Sequence, residues 1–275
     1  MPHTTINGFD LYHAEEGAGA PIIFHHGYTG SHDAWSNLIT PRLRDRFRCI
    51  VMDARGAGDS GQPADGYTIS QYANDVVAFA DYLGMDTFTY CGHSMGGVIG
   101  MELGINHAAR LDKLILVAPA PADGVQAPPE MFERSRRLRR ENARETMIRE
   151  RTIMAARDES SGNIAASVDR ALSVSDGHFE QSWQALVDAR LGDRLAEIAT
   201  PTLVISGAAD SLLQANLKDF QRLPNATLHV FSRVGHGVPS DVPDEFAEVV
   251  ADFMAHGPVT AKTLMERLQA AAAAR

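Results

Sequence analysis

Cysteine is scarce in this 275-residue chain: only Cys49 and Cys91 occur, which excludes the dense disulfide frameworks that hold small secreted domains together. Each lies in a short apolar run, Arg-Cys-Ile-Val-Met and Phe-Thr-Tyr-Cys-Gly, so both read as buried free thiols in a reducing compartment. Long apolar runs are missing as well. Nothing approaches the ~18 residues of a membrane span, and Met1 to Asp10 has neither the basic nor the apolar stretch of a signal peptide. The expectation is a soluble cytoplasmic protein with no membrane partner. Positive charge is in deficit: 35 Asp and Glu stand against 25 Lys and Arg, for a formal net charge of -10. Such a chain lacks the field that draws proteins to phosphate backbones, so no nucleic-acid partner is expected. Metal-ligand spacings are also absent. No H-E-x-x-H or paired-cysteine motif occurs, and His25 and His26, adjacent on an extended chain, point to opposite sides.

What the chain does contain is globular material, with 44% hydrophobic and 22% charged residues, a balance that supports a buried core. Short runs rich in Val, Ile, Leu and Phe alternate with segments of helical period, the pattern of a mainly parallel sheet with crossover helices. Strands are expected at Thr4 to Ala14, as a hairpin edge, then at Pro21 to His25, Arg48 to Asp53, Thr87 to Cys91, Lys113 to Ala118, Thr202 to Ser206 and Thr227 to Phe231. Ser70 to Leu83 spaces Tyr72, Val76, Phe79, Ala80 and Leu83 at three and four, with Gly84 as a stop, and predicts a helix.

One connection is out of scale. From Pro121 to Ala196 the strand pattern gives way to helical period, far beyond a crossover of about a dozen residues. Residues 121–196 therefore read as an inserted helical subdomain in a core made of 1–120 and 197–275. Pro119, Pro121, Pro128, Pro129 and Pro201 mark its borders. Within it, Glu130 to Arg157 holds nine Arg and five Glu, so the rest of the chain is more acidic than the total implies. Glu130 with Arg134, Glu133 with Arg137 and Glu145 with Arg149 have the acid-first i, i+4 spacing of solvated helix pairs, which makes a surface helix the reading of the arginine cluster. The alanine tail, Ala270 to Ala274, reads as the frayed end of a last helix at Thr260 to Leu268.

The strongest local signal is Gly92-His93-Ser94-Met95-Gly96-Gly97, directly after an expected strand and before a helical run. A sharp strand-to-helix turn strains its central residue and exposes the Ser94 hydroxyl, and the glycines allow the crowding that results. Serine is a weak nucleophile at neutral pH and needs a base, which in turn needs an orienting acid. Asp210 and His236 both lie just past expected strands, at the strand ends where open parallel sheets place their ligands. Asp123, after the strand Lys113 to Ala118, competes with Asp210 for the acid.

The order Ser, Asp, His joins His26-Gly27-Tyr28, Asp53-Ala54-Arg55-Gly56-Ala57-Gly58-Asp59-Ser60, the segment around Ser94, the Asp210 turn, and Gly235-His236 followed by Pro243 and Phe246. On these segments the chain resembles the α/β-hydrolase superfamily over nearly its whole length. The resemblance implies an α/β fold, with a mainly parallel eight-stranded sheet, flanking helices and the inserted segment as a helical lid. It also implies an oxyanion hole from the backbone N–H groups of Met95 and Tyr28 and no cofactor. Asp53 and Arg55 belong to a loop that is mainly structural in the family, and His93 reads as a packing or hydrogen-bonding residue. Gly27, His25 and Trp183 are candidates to line the substrate pocket.

The activity expected is that of a serine hydrolase cleaving a small, fairly apolar carboxylic ester or lactone through an acyl-enzyme on Ser94. The same triad also serves carbon–carbon bond hydrolysis of ring-cleavage products, peracid formation and acyl transfer. From another class, a ligand receptor on this fold stays open. The partner expected is a small-molecule substrate, and the chain a monomer or homodimer.

Overall fold

The computed structural model describes residues 3–157 and 161–273. Met1 and Pro2 of the N-terminal reading, residues 158–160 of the insertion and Ala274 of the alanine tail lie outside the described residues. Eight strands form one sheet: β1 (His3–Ile6), β2 (Phe9–Glu16), β3 (Pro21–His25), β4 (Arg48–Met52), β5 (Phe88–His93), β6 (Leu111–Val117), β7 (Thr202–Gly207) and β8 (Ala226–Phe231). Their order across the sheet is β1-β2-β4-β3-β5-β6-β7-β8. The pairs β1/β2 and β2/β4 are antiparallel and all later pairs parallel. The expected hairpin turns at Asn7-Gly8, where both residues have positive φ (46° and 82°), the geometry of a tight hairpin turn.

Helices supply the crossovers that parallel pairing requires. In chain order they are α1 (Asp33–Ser36), α2 (Thr40–Leu43), α3 (Ile69–Tyr82), α4 (Met95–Asn106), α5 (Pro129–Arg140), α6 (Arg144–Met154), α7 (Ser161–Ser173), α8 (Asp176–Asp188), α9 (Leu213–Phe220), α10 (Val238–Asp241), α11 (Pro243–His256) and α12 (Ala261–Ala273). α3 begins where the Thr68 hydroxyl accepts from Gln71 N–H, and it buries Tyr72, Val76, Phe79 and Ala80. Because strand side chains alternate, the sheet feeds two cores. Ile23, Ile50, Tyr90, Leu114 and Leu116 pack with α3 and α4. Phe24, Val51, Cys91, Ile115 and Val117 pack with Trp35, Ile39, Phe246 and Val250 on the other face. Both cysteines are buried and free, and burial pushes the Cys49 thiol up to about 12. No helix among the described residues is long and apolar enough to cross a membrane.

The chain between β6 and β7 is helical, α5 to α8. Its arginines are not spent on the expected i, i+4 pairs. Arg134 meets Glu150, and Arg144 meets Asp169 at 2.6 Å, so the charges join α5 to α6 and α6 to α7. Long side chains on packed helices reach acids across the groove, a partner choice that spacing along one helix does not reveal. α8 is fastened to the core by polar contacts: Ser175 N–H donates to Gly56 O at 2.8 Å, and Ser182 Oγ meets Tyr72 OH at 2.7 Å.

Candidate active site

β5 runs two residues further than the apolar pattern implies, because Gly92 and His93 still pair with Leu116 and Val117 of β6. The strand therefore stays extended up to Ser94, and α4 begins at Met95. Ser94 sits at φ 54° and ψ -109°, a sparsely populated region for any residue with a Cβ. Its N–H donates to Val117 O and its carbonyl accepts from Ala120 N–H, both at 2.9 Å, so β6 and the loop after it hold the strain in place. The neighbouring glycines are required: a Cβ on Gly92 would overlap the Gly96 carbonyl, and one on Gly96 would lie 2.6 Å from His25 O.

Two loops bring the partners to this serine. The loop after β7 and the loop after β8 are stitched together by Ala209 N–H to Val234 O, at 2.9 Å, and a Cβ on Gly207 would collide with the Gly235 carbonyl. That places His236 Nε2 3.0 Å from Ser94 Oγ and His236 Nδ1 2.8 Å from Asp210 Oδ2. A carboxylate only accepts, so Nδ1 carries the proton and Nε2 presents its lone pair to the serine hydroxyl. Asp210 Oδ1 is held by Leu212 N–H at 3.0 Å. Burial works to raise the Asp210 carboxyl, but its hydrogen bond and charge interaction with His236 and the Leu212 N–H together leave it below its usual range.

His93, flanking the serine, donates from Nε2 to the His236 carbonyl at 2.9 Å. Desolvation and the adjacent His236 hold it down to about 4, so it is a neutral imidazole. His26 fixes the turn after β3: Nδ1–H donates to Gly27 O and Nε2 accepts Ala54 N–H, at 2.8 and 3.0 Å. Beyond that turn Gly27 faces the serine so closely that a Cβ there would lie 3.0 Å from Ser94 Cβ. The backbone N–H groups of Tyr28 and Met95 donate to no described residue. The Tyr28 ring is turned into the helical segment, its hydroxyl donating to Phe179 O at 2.5 Å.

A cavity of about 500 Å³ opens over Ser94 and His236. Gly27 and Tyr28 line it; His25 and Trp183, the other pocket candidates, do not. His25 is buried in the core against Tyr72 and Tyr90, because a parallel sheet is covered on both faces and every position of β3 points into protein. Trp183 stacks on Phe132 at 5.0 Å within the helical segment. Asp123 is also placed elsewhere, paired with Lys218 and Arg222 at 2.8 and 2.9 Å. The residues that the sequence did not single out are Arg151 and Arg170, which line the cavity, and His178, whose Nε2 faces the N–H of the lining residue Thr29 at 3.4 Å while its Nδ1–H donates to Arg55 O. None has a local motif.

Asp53 and Arg55 act structurally. Buried Asp53 accepts His32 N–H at 2.6 Å and Asp59 N–H at 2.8 Å, and Arg55 forms a buried two-point pair with Asp75 at 2.7 and 2.8 Å. Among the described residues one trio of metal-ligating type converges, His32, Asp53 and Asp59 within 4.8 Å. The Asp53 oxygens there are already committed to those N–H groups and to His32 Nδ1 at 2.8 Å.

The family model described as the alpha/beta hydrolase fold matches residues 20–241. A putative carbamate hydrolase, RutD, from a Caulobacter species is 30% identical, the match covering 92% of this chain and 98% of that one. A non-heme chloroperoxidase of Streptomyces lividans is 28% identical over 88% and 94% of the two chains. Among solved structures, one described as an N-acyl homoserine lactone degrading enzyme superposes with a TM-score of 0.77 at 28% identity, covering 92% of this chain and all of that one.

Proposed function

Because the chain belongs to the α/β-hydrolase family, we propose that it is a serine hydrolase acting on a small carboxylic ester or lactone. The observation that carries this reading is the unbroken line Asp210, His236, Ser94, with contacts of 2.8 and 3.0 Å. Ser94 Oγ attacks the carbonyl carbon and gives its proton to His236 Nε2. The imidazolium passes that proton to the departing alcohol oxygen, leaving an acyl-enzyme on Ser94. Water then attacks the acyl carbon, again losing its proton to His236, and the acid leaves as Ser94 recovers its hydrogen. Asp210 keeps the imidazole in the required tautomer and stabilises its charged form. The Met95 and Tyr28 N–H groups receive the tetrahedral oxyanion, each contributing about 3 to 4 kcal/mol of barrier lowering.

The inserted helices act as a lid that shapes the cavity. The lactone-degrading structural relative supports the ester and lactone class. Turnover of p-nitrophenyl butyrate by the wild type and by Ser94→Ala tests the reading, together with labelling by a fluorophosphonate. Wild-type turnover should exceed the variant's by at least ~10³-fold, with one label on Ser94. Equal rates in the two proteins sink the proposal, and tight ligand binding without turnover would replace it with a receptor.

A further inference from the structure

The side of the cavity formed by the inserted helices carries two arginines, Arg151 of α6 and Arg170 of α7, and they differ in one respect. Arg170 Nη1 meets Asp33 Oδ2 at 3.0 Å, so its charge is compensated. Arg151 has the Ser167 hydroxyl at 2.7 Å, and that hydroxyl's own proton goes to Ile164 O at 2.8 Å. Among the described residues no carboxylate pairs with Arg151. Arg134, Arg136, Arg139 and Arg144 of the same segment each have one. Among the described residues the two carboxylates on the cavity wall are otherwise engaged, Asp33 by Arg170 and Asp241 by Gly235 N–H at 3.2 Å. Desolvation and the neighbouring Arg170 charge both act against the Arg151 cation.

A guanidinium remains charged even so, and enclosing it beside a second cation is unfavourable until an anion arrives. Its flat fork of donors matches a carboxylate, and the cavity connects it to Ser94. We propose that Arg151 receives a free carboxylate of the substrate, so that the enzyme favours small esters or lactones with a second, anionic end. The reaction is the one proposed above, on which this inference rests: the ester C–O bond breaks, water supplies OH to the acyl carbon and H to the alcohol, and the distant carboxylate is unchanged. A monoester of a dicarboxylic acid would thus yield the dicarboxylate. This departs from the fairly apolar substrate expected from the sequence.

The test compares the methyl monoester of glutarate with the ester in which an isopropyl group replaces its free carboxylate. The measured quantity is the ratio of kcat/KM for the two esters. Wild type should favour the anionic ester, and Arg151→Met should lower the ratio by about 100-fold, the usual size for losing a charged hydrogen-bond pair. Arg151→Lys, which keeps the charge, should restore part of it and also serves if the Met variant does not fold. A ratio in Arg151→Met within about twofold of wild type overturns the proposal. Calorimetric titration of glutarate into Ser94→Ala, with and without Arg151→Met, separates the two claims. Arg151-dependent binding with no wild-type turnover of either ester would retain the carboxylate site and reject the hydrolase. Turnover of both esters without discrimination, and glutarate binding indifferent to Arg151, would do the reverse.

Discussion

Acidification should loosen this protein through His178, one of the residues that fasten α8 to the core. Its Nδ1–H donates to Arg55 O at 3.0 Å, beside Tyr72 OH at 2.9 Å, while Nε2 faces the Thr29 N–H at 3.4 Å. A proton on Nε2 would set two donors against each other. Burial is the larger cause, and the residue is pushed down to about 4 from 6.5. Between those values the unfolded chain takes up a proton that the folded one refuses, so stability falls as pH falls. The contribution is complete above about pH 6.5 and lost towards pH 4, and at about 1.4 kcal/mol per unit it amounts to about 3 kcal/mol. His178→Asn keeps an N–H donor but cannot titrate. The variant should be about 3 kcal/mol less stable near neutrality, from lost packing and hydrogen bonds. Urea unfolding of both proteins from pH 7.5 to 4 measures the gap, which should close as wild type alone loses the His178 contribution. His26 and His93 titrate in both proteins and cancel. A gap that stays constant over this range refutes the assignment of a neutral, buried His178.

Other changes have equally direct expectations. Ser94→Gly should abolish turnover yet raise stability by about 1 kcal/mol in urea, because glycine tolerates the φ of 54° that serine is forced to adopt; no gain would mean that the turn stores no strain. Gly27→Ala places a methyl 3.0 Å from Ser94 Cβ and 3.1 Å from His93 Nδ1, so kcat/KM should drop at least ~10-fold with an unchanged circular dichroism spectrum. Asp210→Asn should cost about 10⁴-fold in kcat through the wrong histidine tautomer, whereas Asp123→Asn, removed from the triad by its pairing with Lys218 and Arg222, should stay near wild type. The reverse ranking would reassign the acid.

Much of the fold was legible because its causes are local. The alternation of apolar strand runs with helical period locates all eight strands to within a few residues, and the Asn7-Gly8 hairpin follows from backbone preferences of two adjacent residues. The serine turn is marked locally by its glycines, but only Gly92 is demanded by a near neighbour, the Gly96 carbonyl; Gly96 and Gly97 are demanded by His25 and Pro119, from other parts of the chain. Strand ends were less legible, since β5 is extended by pairing with β6 and not by its own composition.

Side-chain destinations in the inserted segment were not legible. A helix turns about 100° per residue, so whether Trp183 meets substrate or Phe132 depends on how α8 is rotated and docked, which its own sequence leaves open. For the same reason Arg134, which spacing pairs with Glu130 on its own helix, meets Glu150 of α6 instead. The sequence by itself determined the sheet, the glycine-built turn at Ser94 and the candidates for its base and acid, because periodicity and the residue types around each turn mark them. Only the tertiary structure decided between Asp210 and Asp123 as the partner of His236, removed His25 and Trp183 from the cavity, and brought Arg151 to its wall. Those outcomes depend on contacts between segments far apart in the chain, where solvent exclusion and charge pairing act on positions and not on motifs.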